Sequence, residues 1–159
     1  MNWTAINAMA QIVAAVGVIG TLFYLALQVR QNTRSLRRAA YQELLNHVAQ
    51  INLVAMDRDV AQMMVHARSG AAGLDEVDQL RWGSWFFSLF RHYQNAYDQY
   101  RAGVITHAQR EVIGGRIGGL LSNRGGRESW EAMAPAFSPA FRQVVEQRCP
   151  RPAPAPGPA

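Results

Sequence analysis

The sequence predicts an all-α protein in which a single N-terminal transmembrane helix continues into a small antiparallel helical bundle. The first 29 of its 159 residues contain no Lys, Arg, Asp or Glu. In the rest of the chain, apolar residues recur at spacings of three and four, with helix-capping residues between the segments. The sequence contains no alternating polar and apolar run between turn residues, the pattern of a β-strand. Helices are therefore expected throughout.

The segment from residue 8 to residue 27 is the candidate membrane span, because all but two of its residues are apolar. Twenty helical residues rise about 30 Å, which is the thickness of the hydrocarbon core of a bilayer. Trp3 and Tyr24 fall near its two ends, where amphipathic aromatic residues favour the lipid–water interface. We assign residues 1–29 to a transmembrane anchor.

The first charged residues follow the span directly. They are four arginines that precede any acidic residue, Arg30, Arg34, Arg37 and Arg38. A signal peptide carries positive charge before its apolar segment, so the order found here indicates an uncleaved anchor. By the positive-inside rule, residues 30–159 are expected in the cytoplasm and Met1 outside. We expect the basic juxtamembrane segment, residues 30–42, to contact anionic lipid headgroups.

Small residues on one face of the span are candidates for a helix–helix contact within the membrane. They are Ala10, Ala14, Gly17 and Thr21. Spacings of three and four place them on one side of a helix, and small side chains let two helices approach closely in lipid. The alternative is that Ala and Gly are simply common in membrane helices.

The first helix is expected to continue past the basic segment without a break. Apolar residues recur from Leu36 to Val54 at the spacing of one helix face. Asp57 is a residue type that caps helix N-termini, and it predicts a new, short helix that ends at Gly70. A loop is predicted at residues 69–73.

Three more helices and a turn follow from the same signals. Asp75 is expected to begin a long helix that ends at Gly103, and Thr106 the next, which runs to Asn123. The sequence Arg-Gly-Gly at residues 124–126 predicts a turn. A short helix follows it.

The end of the chain completes the domain organisation. Pro135 stops the short helix, and Ser138 with Pro139 begins the last one. We assign residues 43–149 to a cytoplasmic helical domain and residues 150–159 to a disordered Pro/Ala tail.

The charge distribution argues against a nucleic-acid partner. The chain has a formal net charge of +5 from 16 basic and 11 acidic residues. Residues 30–42 hold four of the basic residues and none of the acidic ones, so the remainder is nearly neutral. Nucleic-acid binding requires a basic face, and the predicted domain has none. The only cysteine, Cys149, can form no internal disulfide and suits a reducing compartment.

The long helix after Asp75 carries eight aromatic residues between Trp82 and Tyr100. Its apolar arc is wide, which indicates contact on more than one side. We predict a candidate interaction face on it that comprises Trp82, Trp85, Phe86, Phe90, Tyr93 and Tyr97. Whether these residues form an interface or the core is open from sequence alone.

The sequence contains no recognisable catalytic, cofactor or metal motif. Glu43 and His47 share a helix face at a spacing of four, but one such pair is more often solvated than metal-bound. The glycines of VIGGRIGGLL, at residues 112–121, fall within a predicted helix and so cannot cradle a phosphate. We expect them to pack closely against a bulky neighbour, with the aromatic helix as the candidate.

Polar residues alternate with the tyrosines of the aromatic helix and form a polar cluster, comprising His92, Gln94, Asn95, Asp98 and Gln99. Buried amides and phenols need hydrogen-bond partners, so the favoured interpretation is a side-chain network that fixes the register of the helices. The alternative is a small-ligand pocket lined by Tyr93, Asn95 and Asp98.

Four segments resemble, in the same order, a group of small bacterial proteins that are anchored at the N-terminus and generally uncharacterised. They are QVRQNTRSLRRAAYQ, RHYQNAYDQYRAGVI, GGRESWE and FSPAFRQVVEQ. The resemblance covers most of residues 10–148 and implies a helical domain anchored in the bacterial inner membrane. It brings no activity, cofactor or catalytic residue. Many members have an acidic residue before the asparagine of the aromatic helix, where this chain has Gln94.

These features predict a single-pass interaction or assembly protein, an accessory subunit or scaffold at the cytoplasmic face of a membrane complex. Its expected partners are the anionic bilayer and either another membrane protein or a second copy of the chain. The alternative is a membrane-bound small-molecule sensor or enzyme that uses the polar cluster. No cofactor or metal is expected, and catalysis is the less favoured function.

Overall fold

The computed structural model of the protein describes residues 2–149, except for the side chains of Ala5, Ile6, Ala10 and Val13. Met1 and the tail predicted at residues 150–159 lie outside the described residues. Within residues 2–149 the chain is mostly helical and forms no β-strand, which confirms the all-α class.

The described residues form seven α-helices and three short 3-10 turns. The helices are α1 (Trp3–Leu53), α2 (Arg58–Ala67), α3 (Glu76–Arg101), α4 (His107–Gly114), α5 (Ile117–Leu121), α6 (Arg124–Met133) and α7 (Pro139–Arg148). The 3-10 turns are Val54–Met56, Ala71–Gly73 and Ala134–Ala136. The chain divides into two compact units, one that ends at Ala39 and one that begins at Ala40.

The first unit is the N-terminal part of α1, and its apolar side chains are exposed. The helical stretch Asn7–Met56 is long and apolar enough to cross a membrane, and its most apolar window has a mean hydropathy of 2.2 with no buried residue. The core helix of a soluble protein would bury one face of such a window. Length, composition and exposure therefore fit the predicted anchor.

The helix starts predicted for the second unit are confirmed by side-chain caps. Four residues each accept a hydrogen bond from a backbone N–H of the following turn: Asp57, Asp75, Thr106 and Ser138. Thr106 also forms a reciprocal capping box with Gln109. Gly70 and Gly103 follow α2 and α3 with φ values of 145° and 70°, which an L side chain rarely adopts. These signals were readable because a cap involves only neighbouring residues.

Two predictions for the region after α3 are wrong. The helix predicted from Thr106 to Asn123 is divided into α4 and α5. The turn predicted at residues 124–126 is instead the first turn of α6. The Asn123 side chain caps that helix and accepts a hydrogen bond from the Gly126 N–H at 2.9 Å.

Close packing explains why two glycines open α6. A Cβ on Gly125 would overlap the carbonyl of Ala67 at the end of α2, and a Cβ on Gly126 would overlap the carbonyl of Leu120. The Gly125 N–H also donates to the Arg68 carbonyl at 3.1 Å. These glycines therefore serve a tertiary contact and not a turn.

At the break between α4 and α5, a backbone carbonyl accepts a hydrogen bond from a side chain of α7. Arg148 Nη1 donates to the Gly114 carbonyl at 3.0 Å. A continuous helix would offer that carbonyl to the N–H of Gly118. Because glycine has a low helix propensity, giving up this helical bond costs little. The side chain of α7 nearest to a Cβ on the buried Gly114 is thus Arg148, at 3.3 Å, and Gly114 also lines a small cavity with Tyr93 and Tyr97 of the aromatic helix.

The core of the second unit is built around α3. Phe86 and Phe90 are fully buried, and their ring centroids lie 4.6 Å apart. Phe90 also packs on Trp130 of α6 with centroids 4.9 Å apart. The Trp82 indole N–H donates to the Ser129 hydroxyl at 2.8 Å, so a buried polar group has a partner. The aromatic helix is consequently central to the domain.

Candidate functional site

A polar cleft with a volume of about 540 Å³ lies between the end of α1 and the middle of α3, within the second unit. Its polar lining comprises Glu43, His47, Ser88, Arg91, His92, Gln94, Asn95, Asp98 and Gln99. The cleft includes all five residues of the polar cluster predicted from sequence. It adds Glu43 and His47 from the other helix, which sequence reasoning had considered only as an isolated pair.

Two contacts set the register of α1 against α3. The rings of His47 and His92 stack with centroids 5.5 Å apart and an interplanar angle of 8°. One turn further along α1, the Ile51 carbonyl accepts a hydrogen bond from the Trp85 indole N–H at 3.3 Å. A later residue of α1 thus meets an earlier residue of α3, so the two helices are antiparallel. Glu43 therefore lies towards the later part of α3.

His92 is the buried titratable group of the cleft. Its side chain is 5% exposed, and its Nε2 atom has no hydrogen-bond partner among the described residues. Burial, with a smaller contribution from His47, lowers the pKa of His92 to about 4. The imidazole is therefore neutral at pH 7 and offers one donor and one acceptor.

Arg91 is held by aromatic faces. Its Cζ atom lies 5.3 Å from the ring centroid of Phe87 and 5.4 Å from that of Phe137. In the described part of the chain, no carboxylate lies within ion-pair distance of Arg91. Stacking uses the face of a guanidinium and leaves its N–H edge for a carboxylate or phosphate.

Hydrogen bonds of the polar cluster run mostly along α3 itself. Gln94 Nε2 donates to Asp98 Oδ2, and Gln99 Nε2 donates to Asn95 Oδ1, both at 3.5 Å. One bond reaches another element, from the Ser138 N–H to Gln94 Oε1 at 3.4 Å. Within residues 2–149, this is the one hydrogen bond that links the predicted network to another element. The other link is the stacking of His92 on His47 of α1.

Tyr93 does not belong to the cleft, although sequence reasoning grouped it with Asn95 and Asp98. Its side chain is 2% exposed and packs in the core, where burial raises the pKa of its phenol to about 12. The predicted pocket is corrected accordingly, since Asn95 and Asp98 line it while Tyr93 lies behind it.

The predicted interaction face on α3 is corrected as well. Four of its six residues are at most 4% exposed: Trp82, Phe86, Phe90 and Tyr93. Trp85 and Tyr97 are half-buried against the same core. The wide aromatic arc is covered by residues of the same domain, including Trp130, Phe137 and Phe141. Side chains buried in this way cannot contact a partner.

The predicted membrane residues are on the exposed helix of the first unit. Arg30, Arg34, Arg37 and Arg38 are all exposed. In the small-residue strip, Ala14, Gly17 and Thr21 are exposed as well, and the Thr21 hydroxyl donates to the Gly17 carbonyl at 2.9 Å. The side chain of Ala10 lies outside the described residues. The lipid contact and the helix–helix contact remain predictions.

A second charged cluster, which sequence reasoning missed, has a structural role. The Glu111 carboxylate accepts hydrogen bonds from Arg110 and from Arg148 of α7. The hydrogen bond from Arg110 is the largest cause that holds the pKa of Glu111 below its usual value, and Arg148 acts in the same direction. The cluster ties α4 to α7 at the point where α4 ends.

The described residues contain no group of three or more His, Cys, Asp or Glu arranged to hold a metal ion. Comparison of the chain with protein-family models, curated proteins and solved structures finds no match.

Proposed function

We propose that this protein is a single-pass, membrane-anchored helical module that serves interaction or assembly, as an accessory subunit or scaffold at the cytoplasmic face of the bacterial inner membrane. The observation that carries the proposal is the exposed apolar part of α1. Apart from Val13, whose side chain lies outside the described residues, its large side chains from Met9 to Val29 are 43–69% exposed. Burial of apolar surface is worth roughly 25 cal/mol per Å². A bilayer would supply that burial along the whole segment.

The orientation rests on the four exposed arginines of the basic segment. They follow the span directly, and residues 2–29 carry no charged side chain. Arginine near the end of a span favours the cytoplasmic side. Near a membrane surface each arginine attracts anionic lipid by about 1 kcal/mol. Residues 30–159 are thus proposed to be cytoplasmic.

The proposed partner is another membrane protein or a second copy of the chain. One supporting observation is the exposed face of small residues around Gly17, where the Thr21 hydroxyl is already satisfied within its own helix. A second is an apolar groove of about 480 Å³ beside α3, lined in part by Ile51, Val54 and Trp85. Of the predicted aromatic face, this groove contains the half-buried Trp85.

Reporter fusion tests the orientation. A reporter placed after Ala159 should be active only in its cytoplasmic form. Replacing the four arginines of the basic segment with Gln should produce a mixture of orientations. The matched control replaces four arginines of the helical domain with Gln: Arg58, Arg68, Arg81 and Arg101. The control should keep one orientation, because charge far from the span has little influence. Activity of a periplasmic reporter on the unaltered chain would overturn the proposed topology.

Size measurement in mild detergent tests the assembly role. The full chain should migrate as a complex, and the double variant Ala14→Leu with Gly17→Leu should shift it towards the monomer. Val18→Leu adds bulk at a neighbouring exposed position outside the strip and should leave the complex intact. A monomer with no associated protein after extraction from native membranes would contradict the assembly role.

The polar cleft favours a second candidate function, a membrane-bound small-molecule sensor or enzyme. Its support is the combination of a cavity of about 540 Å³ with a buried His92 Nε2 that has no partner among the described residues. Small-molecule sites usually have volumes of about 300–1,000 Å³ and a few convergent polar groups.

A further inference from the structure

We propose that the cleft between α1 and α3 binds a small zwitterion, a molecule that carries an ammonium and a carboxylate and lies between an amino acid and a tripeptide in length. The proposal deepens the second candidate function and rests on it. It follows from the arrangement of charges along the cleft.

Opposite charges mark the two ends of the cleft. Arg91 and Asp98 both line it. Seven residues of helix separate them, which is about 10 Å along the axis. The antiparallel register set by His47 and His92 brings Glu43 to the Asp98 end. One end is therefore cationic and the other carries two carboxylates.

The cationic end suits a carboxylate. The faces of Phe87 and Phe137 hold the Arg91 guanidinium, and its edge has no acidic partner among the described residues. A guanidinium edge binds a carboxylate through two parallel hydrogen bonds. Arg91 is exposed, and its two aromatic contacts favour one placement of the guanidinium, which lowers the entropy cost of ordering it on binding.

The acidic end suits an ammonium group. Glu43 and Asp98 form no ion pair within the described part of the chain, and Asp98 accepts one long hydrogen bond from Gln94. An ammonium has three donors and no acceptor, so it can satisfy carboxylates on both helices. This contact would connect α1 to α3.

Buried polar atoms without partners lie next to both ends, because His92 adjoins Arg91 and Gln99 adjoins Asp98 in the sequence. His92 Nε2 and Gln99 Oε1 are both buried and unpaired in the described structure. Each costs free energy until a partner enters. An amide or ammonium of a ligand lying along the cleft would supply that partner.

Ligands of a single charge fit less well. A simple anion would pair with Arg91 but face the carboxylates of Glu43 and Asp98, and a simple cation would pair with those carboxylates but face Arg91. Like charges brought together oppose binding. A zwitterion satisfies both ends at once.

Titration with glycine, diglycine and triglycine tests the proposal, with the full chain in detergent micelles at pH 7. Isothermal titration calorimetry should show saturable binding of diglycine, and glycine and triglycine test a shorter and a longer separation of the two charges. Two blocked analogues remove one charge each: N-acetyl-diglycine lacks the ammonium, and diglycine amide lacks the carboxylate. Each should bind at least tenfold more weakly than diglycine.

Two variants test which end of the cleft binds the carboxylate of the ligand and which end binds its ammonium group. Arg91→Gln should remove the preference for diglycine over its amide, and Asp98→Asn should remove the preference over the acetylated form. Arg101 lies on the same helix outside the cleft, so the control variant Arg101→Gln should keep both preferences. Asp98 is exposed, so its variant is expected to fold even if loss of the Arg91 stacking destabilises the domain.

The outcomes separate this inference from the function on which it rests. If the blocked analogues bind as tightly as diglycine, the cleft remains a small-molecule site and the zwitterion is rejected. If none of the five compounds binds, the zwitterion proposal is overturned and the second candidate function loses its support.

Discussion

The N-terminal part of α1 and the aromatic helix α3 are both rich in apolar side chains, yet their surroundings differ completely. Phe23 in α1 is 67% exposed, whereas Phe90 in α3 is fully buried. The span of α1 is apolar all round. In α3, exposed polar residues such as Asn95 and Asp98 occupy one side and the core aromatics another.

The difference shows that the arrangement of apolar residues, and not their number, decides where a helix can be stable. A helix with a polar side can face water there and bury the remainder within a small domain. A helix that is apolar all round needs apolar surroundings on every side. A bilayer would supply them along the exposed part of α1.

The largest effect is expected when charged residues are placed in the apolar span of α1. Val18→Asp together with Leu22→Asp should oppose membrane insertion by about 5–7 kcal/mol, at about 2.5–3.5 kcal/mol for each buried charge. The chain should then be extracted from membranes by alkaline carbonate. The matched control, Val77→Asp with Leu80→Asp, changes two exposed residues of α3 and should remain in the membrane fraction. Equal extraction of the two variants would contradict the assignment of the span.

The next prediction compares the loss of a phenylalanine ring from the core of the domain with the loss of one from the span. Phe90→Ala removes a fully buried ring and should lower the free energy of unfolding of the helical domain by about 3–5 kcal/mol. Phe23→Ala removes an exposed ring and should change it by less than about 0.5 kcal/mol. Urea unfolding of the full chain in detergent, followed by tryptophan fluorescence, measures both. A similar loss for both variants would mean that Phe23 packs against the domain.

A smaller effect depends on pH and sharpens the contrast, because α3 buries a histidine whereas the span contains no His, Asp or Glu. The pKa of His92 is about 4 in the folded protein against 6.5 for a free histidine. As pH falls below 6.5, the unfolded state binds the proton first, so the domain loses stability until about pH 4. The loss should be about 3 kcal/mol, and below that range both states are protonated and this group contributes no further change.

Two variants isolate the contribution of His92. His92→Leu should flatten the dependence of the unfolding free energy on pH between 6.5 and 4. His66→Leu changes an exposed histidine of α2 and should leave it as it is. Urea unfolding at a series of pH values gives the comparison. An unchanged slope in the His92 variant would show that another group is responsible.

Sequence reasoning predicted the parts of the fold that depend on neighbouring residues. Caps such as Asp57 and Ser138 were identified because each one bonds to a backbone N–H two or three positions away. The start of α6 was missed although Asn123 caps it locally, because its two glycines were interpreted as a turn, whereas they pack against the carbonyls of Ala67 and Leu120. No local pattern distinguishes a glycine that forms a turn from one that lets a helix approach another backbone.

Only one side of the candidate site could be predicted from the sequence, because contacts between distant residues leave no local pattern. The polar cluster of α3 is contiguous and was recognised as a unit. Its meeting with Glu43 and His47 depends on the register between two helices, which the contact of Trp85 with Ile51 fixes in the folded domain. The aromatic arc could not be assigned to core or interface, because a wide arc indicates only that several sides are covered.

The glycine pair at the start of α6 also determines how freely this domain can vary during evolution. Large core residues can be exchanged for others of similar volume at a modest cost, because neighbouring side chains repack. At Gly125 and Gly126 the obstacle is backbone on a neighbouring segment, which cannot change its rotamer to make room. Gly125 and Gly126 are therefore positions at which a lineage of this protein has few alternatives.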